Sequence, residues 1–190
     1  MELSEATAAV LRLAEMPARE LDPEAVDALY TALPRMNCKG KCASACAAVP
    51  ATPLERQRIT ARGHHWVDGE RVVLADGRVA GTTCSALDQK SMRCRVYEDR
   101  PMVCRVWGLI KALECPWGCV PEGGHLDDLE GLRLVNAAAW FGGARGAVDP
   151  ASWDALVARP EIVRQLLAHV EKPVKEPAVV QTVAARRAAR

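Results

Sequence analysis

All eight cysteines of this 190-residue chain lie between Cys38 and Cys119. That confinement limits the fold more than any other feature of the sequence. Cysteines used only as small buried hydrophobes would be scattered through a core, whereas a segment holding all eight must bring sulfur atoms together. The start of the chain, Met1-Glu2-Leu3-Ser4-Glu5, is acidic where a secretory leader needs positive charge ahead of an apolar run. We therefore expect reduced thiols in the cytoplasm, and clustered reduced thiols read as ligands or catalysts before cross-links. A chain of this length also builds one core without disulfide staples.

The spacing narrows the chemistry. The cysteines run Cys38-x3-Cys42-x3-Cys46, then Cys84, Cys94 and Cys104, then Cys115-x3-Cys119. No pair is Cys-x2-Cys, which argues against zinc knuckles, the thioredoxin motif and the run found in bacterial ferredoxins. On a helix, positions four apart share a face, so Cys38, Cys42 and Cys46 could aim three sulfurs at one place. Gly40 weakens such a helix, and an irregular loop turning its amides toward sulfur is equally consistent. From Arg35 to Glu114 there are 14 Lys or Arg against 8 Asp or Glu, in a chain whose formal net charge is only +1. Two four-thiolate centres would each carry about −2, which nearby cations offset. The rival reading of that excess is a solvated basic face, and the aromatics are not spaced as a platform for nucleic-acid bases.

Other ligand candidates are weaker. His64, His65 and His125 are the remaining soft donors, with a surface or hydrogen-bonded role the simpler reading, and His169 reads as surface. Trp107, Trp117 and Trp140 read as core and as shielding for the cysteine region. Glu55 reads as a helix cap.

The chain is expected to form one α+β domain, mostly helical, with a short antiparallel β-hairpin sheet, organised around cysteine-ligated metal. Residues 1–36 read as N-terminal helices, one capped by Ser4 and carrying Ala8, Leu11 and Met16, the next opened by Asp22-Pro23-Glu24. Residues 37–120 form the cysteine region. Within it, Thr52-Pro53-Leu54-Glu55 is a capping box predicting a helix from Pro53 to Arg62 that stops at Gly63. Asp68-Gly69 and Asp76-Gly77 are hairpin turns between strand candidates 71–75, 78–83 and 92–97. Asp99-Arg100-Pro101 starts a short helix carrying Cys104, and 108–124 is a loop. Residues 121–171 read as C-terminal helices of the same domain, one carrying Leu126, Leu129, Leu132, Val135 and Ala139 and ending near Gly142, the next opened at Asp149-Pro150 and interrupted at Pro160. Residues 172–190 form a basic tail. No apolar run approaches the roughly 18 residues of a membrane span.

The stretch Cys94-Arg95-Val96-Tyr97-Glu98-Asp99-Arg100-Pro101-Met102-Val103-Cys104-Arg105 resembles the signature C-x-x-Y-x-x-R-P-x-x-C-R of a bacterial cysteine-cluster family described as a zinc- or iron-chelating domain (YkgJ-like). The segment Cys38 to Cys46, the pattern of Pro53, Glu55 and Ile59, and Cys84 also resemble that family. The resemblance implies that Cys38, Cys42, Cys46, Cys84, Cys94 and Cys104 chelate zinc or iron, including iron–sulfur clusters. Many relatives have tighter spacing ending in an adjacent cysteine pair, and Cys115-Pro116-Trp117-Gly118-Cys119 is similar to an extra pair found in a subset. With Cys115 and Cys119 the eight divide into two sites of four, or into one site plus free thiols. Arg100 and Arg105 would stand behind the ligands, neutralising thiolates or holding a carboxylate such as Asp99.

Three functions fit these residues. The first is an iron–sulfur protein passing electrons or supporting a reaction with a protein partner. A second is a closed zinc module holding an adaptor or regulator together, and a third is metal storage or delivery through exposed thiolates. No side chain reads as an acid, base or nucleophile independent of metal, and neither membrane nor nucleic acid is expected as a partner.

Overall fold

The computed structural model describes residues 19–67, 71–73, 79–81 and 84–170. The expected helix from Ser4, the turns at Asp68-Gly69 and Asp76-Gly77, and the tail 172–190 lie outside these residues. The first described helix, α1 (Pro23–Ala32), begins as its sequence dictates, with Pro23 in the first turn and the Asp22 side chain accepting from the Ala25 amide at 2.9 Å. Helix α2 (Pro53–Ala61) opens on the full capping box, in which the Glu55 amide donates to Thr52 Oγ1 and the Thr52 amide donates to Glu55 Oε2. It ends at Arg62, followed by Gly63 in the left-handed region, where glycine costs no side-chain clash.

Two small antiparallel pairs follow. Strand β1 (Arg71–Val73) pairs with β2 (Val79–Gly81), and β3 (Leu87–Asp88) pairs with β4 (Arg93–Cys94), with Leu87 opposite Cys94. The strand expected over 92–97 is therefore only two residues long. The Asp88 carboxylate accepts from the Lys90 and Ser91 amides, closing a tight turn that leaves Met92 at φ 55°. Beyond Cys94 the chain leaves the sheet for a 3₁₀ turn over Tyr97–Asp99. Helix α3 (Met102–Val106) carries Cys104 as expected.

The stretch expected to be one loop over 108–124 contains a 3₁₀ turn, Lys111–Leu113, anchored where the Ala112 amide donates to Asp128 Oδ1 at 2.8 Å. Helix α4 (Asp128–Phe141) ends at Gly142 as its spacing predicts. After a 3₁₀ turn at Pro150–Ser152 come α5 (Trp153–Val157) and α6 (Pro160–Val170), so Pro160 starts a helix where the chain breaks. No helix among the described residues is long and apolar enough to cross a membrane.

Two apolar cores result. One gathers Ile59, Trp66, Cys84, Leu87 and Val96, with Cys46 and Cys94 packed against it. The other joins Met102, Val106, Ile110 and Ala138, flanked by Leu29, Tyr30 and Leu134, where α1 and α3 pack on α4. Glu55 links them. Its side chain is 2% exposed, and its Oε1 accepts from the Met102 amide at 2.7 Å and the Tyr30 hydroxyl at 2.8 Å. Burial, and then the Glu55 carboxyl, push the Tyr30 hydroxyl above its ordinary value, so it remains a donor. Glu55 is thus more than the cap read from its sequence neighbourhood.

Stranding buried donors costs about 1–3 kcal/mol each. Glu55→Ala, which removes the Glu55 half of the capping box and strands two tertiary donors, should lower unfolding stability by about 3 kcal/mol or more in urea titration, against about 1 kcal/mol for Tyr30→Phe. Equal losses for the two variants would contradict the linking role.

Candidate metal centre

The cysteine segment 38–46 is not one helix. Only Cys42–Ala45 forms a 3₁₀ turn, and Gly40, at φ 66°, turns the chain between Cys38 and Cys42. The shared helical face that the x3 spacing allowed is replaced by the irregular loop it equally allowed. What this loop gains is amides that face sulfur.

The eight thiols fall into two neighbourhoods. In the first, the Cys84 amide donates to the Cys46 carbonyl at 3.3 Å, the Cys46 thiol hydrogen-bonds Cys84 Sγ, and charge on Cys84, Cys104 and Cys94 raises the Cys46 pKa. Cys94 arrives through the β3–β4 pair and Cys104 through α3. In the second, the Lys39 amide donates to Cys119 Sγ at 3.4 Å, Lys39 Nζ donates to the Trp117 carbonyl at 2.8 Å, and the Cys119 thiol hydrogen-bonds Cys115. Charge on Cys38 and Cys115 acts on Cys42. Among the described residues, no three Cys, His, Asp or Glu side chains stand together as a formed metal-ion cage.

Backbone amides bond six of the sulfurs. The donors are Gly40 to Cys38, Cys42's own amide to Cys42, Ala86 and Leu87 to Cys84, Val96 to Cys94, Trp117 and Cys119 to Cys115, and Lys39 to Cys119. For Cys38, Cys84, Cys94 and Cys115 one donor is the amide two residues downstream, the tight local turn that suits a thiolate acceptor.

The thiols are tuned unequally. The hydrogen bond from Cys46 holds Cys84 down to about 6 against the pull of burial, helped by the Ala86 and Leu87 amides and Arg95, so the shared proton sits on Cys46. Burial pushes Cys104 up to about 12 and raises Cys94 and Cys42. Burial also acts to raise Cys115, but the Cys119 and Trp117 amides, the Cys119 thiol and Lys39 outweigh it and lower the net value.

The two arginines expected behind the ligands separate. Arg100 acts on Cys42, Cys94 and Cys104, lies 4.2 Å over the Tyr97 ring, and keeps a buried Nε with no hydrogen-bond partner. Arg105 turns away, 4.1 Å over the Tyr30 ring, and donates to the Arg100 and Glu98 carbonyls. Neither arginine holds Asp99, which pairs with Arg62 at 2.7 Å.

His64 is half-buried and His65 exposed, while His125 keeps a buried Nε2 without a partner; no hydrogen bond joins these side chains to a cysteine among the described residues. The tryptophan beside the first thiol group is Trp66, whose indole donates to the Val49 carbonyl at 3.3 Å. Trp140 instead lies under the Arg19 guanidinium, 3.3 Å from its centroid. Lys39 was legible as a basic residue between cysteines, but its bonds to a turn 78 to 80 positions away were not.

These shifts set a pH dependence for the reduced, metal-free chain. Cys84, lowered to about 6 from 9.0, stabilises the fold above pH 9, and that contribution is lost as pH falls through 6. Cys104, raised to about 12 from 9.0, stabilises the fold below pH 9 and loses this as pH rises through 12. The thiol contribution to stability should peak near pH 9 in urea midpoints, with Cys84→Ser flattening the acid side; an unchanged acid limb in that variant would contradict the assignment.

Residues 37–119 match the family model CxxCxxCC, described as a putative zinc- or iron-chelating domain. The matched span includes Cys115 and Cys119 along with the six cysteines before them. Comparison with curated proteins and with solved structures returns no match.

Proposed function

From the premise that residues 37–119 belong to the CxxCxxCC family of zinc- or iron-chelating domains, we propose that this protein is an iron–sulfur protein whose thiolates serve electron transfer or a redox reaction carried out with a protein partner. One observation carries the reading. A buried Arg100 Nε has no protein acceptor, although the Arg100 charge acts on Cys42, Cys94 and Cys104. A buried donor needs a partner, and a metal–thiolate centre, anionic at about −2, supplies one.

The donor set fits the same group. All eight candidates are sulfur, and the amide bonds onto six of them are the kind that set the potential of an iron–sulfur centre. Bound iron and sulfide would supply one-electron chemistry. The chain's own residues hold Cys84 and Cys115 toward the thiolate, bring the Arg100 charge to bear on Cys42, Cys94 and Cys104, and keep water from Cys84 behind Trp66 and Leu87.

A second reading, a closed zinc module, is favoured by the hydrogen-bonded sulfur pairs Cys46–Cys84 and Cys115–Cys119. Neighbouring ligands of one tetrahedral ion with bonds of about 2.3 Å stand about 4 Å apart, close to such a pair.

The deciding experiment is anaerobic purification of the untagged chain, with iron, zinc and acid-labile sulfide counted per chain and a visible spectrum recorded. Matching iron and sulfide with visible absorption is the expected result, whereas colourless protein with stoichiometric zinc overturns the iron–sulfur reading. Arg100→Gln should weaken metal retention against a chelator by about tenfold, the usual effect of losing a group behind the ligands. Arg105→Gln should leave retention unchanged and lower thermal stability; equal retention losses would overturn the separate roles.

A further inference from the structure

Resting on the iron–sulfur reading, which calls for a protein partner, we infer that the exposed face of the β3–β4 hairpin is the docking surface for an acidic electron-carrier protein. Met92 is its apolar contact, and Lys90, Arg93 and Arg95 supply its charge.

The charge is local and free to act outward. Residues 89–95 hold these three cations and no acid, in a chain whose formal net charge is only +1. All three are exposed. Among the described residues the ion pairs lie on Asp27, Asp99 and Glu130, so no carboxylate contact neutralises Lys90 or Arg93. Arg95 donates to the Ser85 carbonyl at 2.8 Å, which fixes its guanidinium without cancelling the charge. Asp88, opposite Arg93 in the hairpin, turns its carboxylate to the Lys90 and Ser91 amides of the turn.

The hairpin gathers these groups over a short span. The pairs Asp88–Arg93 and Leu87–Cys94, continued by the Arg95 amide on the Ala86 carbonyl, form a ladder about 10 Å long at about 3.4 Å per residue. Met92 stands at its turn end, and at the other end Ser85 Oγ accepts from the Val67 amide at 3.2 Å. Met92 is 45% exposed and Val67 52%, so apolar contacts stand at both ends of the basic ladder. Cys94, half-buried, lies in the chain between Arg93 and Arg95. A carrier seated on the hairpin therefore stands next to a candidate ligand. One electron leaves the carrier, which is oxidised, and is taken up at the thiolate-bound metal, which is reduced, with no proton or group transferred.

Met92 marks this face as more than solvated surface. It is the one described residue other than glycine in the left-handed region, at φ 55°. Glycine or asparagine is the residue such a turn takes when only the fold decides. Here the position holds a flexible apolar side chain in solvent, the kind that serves adaptable contact surfaces. Strain retained together with exposure points to a use outside the fold. Three cations beside a methionine complement a protein face carrying carboxylates, whereas nucleic acid calls for a longer basic track and stacking rings.

The test titrates the full chain, purified anaerobically with its metal, with an oxidised acidic plant-type ferredoxin and reads the heat of binding. Micromolar affinity at low salt is expected, weakening about tenfold between ~20 and ~200 mM salt. Lys90→Glu with Arg93→Glu should weaken binding by about tenfold or more, and the charge-matched pair Lys111→Glu with Arg159→Glu, exposed on other turns, should leave it unchanged. Met92→Gly separates docking from folding. Its affinity should fall several-fold while the thermal midpoint holds or rises, because glycine accepts φ 55°; a lower midpoint assigns Met92 to the fold and overturns its docking role. Association that ignores salt, or equal loss in the two charge variants, overturns the surface. Single-stranded RNA or phosphatidylserine vesicles bound through Lys90 and Arg93, with no ferredoxin bound, overturn the choice of partner. A colourless zinc-loaded chain that still binds ferredoxin through the hairpin overturns the iron–sulfur reading and leaves the surface standing, and matching iron and sulfide without that binding does the reverse.

Discussion

A single buried carboxyl holds the two halves of this molecule in register. Glu55 closes its own helix cap through one oxygen and, through the other, accepts from the Met102 amide and the Tyr30 hydroxyl. Met102 begins the short helix that carries Cys104, and Tyr30 belongs to the helix that packs on the long α4. The position of a cysteine late in the cluster therefore depends on an acid far earlier in the chain. A buried carboxyl with its acceptors filled is directional in a way apolar packing is not, because moving either partner leaves a donor unmatched.

Charge is the second constraint. Gathering eight sulfurs costs free energy once several ionise, and the protein answers with amides and cations placed at close range. The Arg100 charge acts on Cys42, Cys94 and Cys104, Lys39 lies along the Cys115–Cys119 turn, and Arg95 helps hold Cys84 ionised. The local basic excess visible in composition thus resolves into a few cations with definite jobs, while others serve elsewhere. Arg62 pairs with Asp99, Arg58 with Asp27, and Arg105 lies against Tyr30.

Local rules read well where the chain obeys only its neighbours. The Asp22 and Thr52 caps, the stop at Gly63, the helix ending at Gly142 and the start at Pro150 all appear where the sequence puts them, because caps and turn residues act within a few positions. The reading was weaker where amides turn toward sulfur. The strand expected over 92–97 shrank to Arg93–Cys94 because the Asp88 turn precedes it and the Val96 amide bends back to Cys94. The tryptophans show the same limit, since spacing marked Trp140 as a neighbour of the cluster while packing set Trp66 there and Arg19 over Trp140.

By itself the sequence determined that eight thiols would be concentrated in one segment amid excess positive charge, and it set the helix caps and breaks around them, because these depend on residue type and short spacing. Tertiary structure alone decided which thiols are neighbours. Cys38 and Cys119 are 81 positions apart yet are joined through the Lys39 amide, while Cys42 and Cys46, only four apart, look to different groups. The reason is physical. Sequence spacing measures distance along the chain, whereas hydrogen bonds and Coulomb interactions act through space, and only the packed fold converts one into the other.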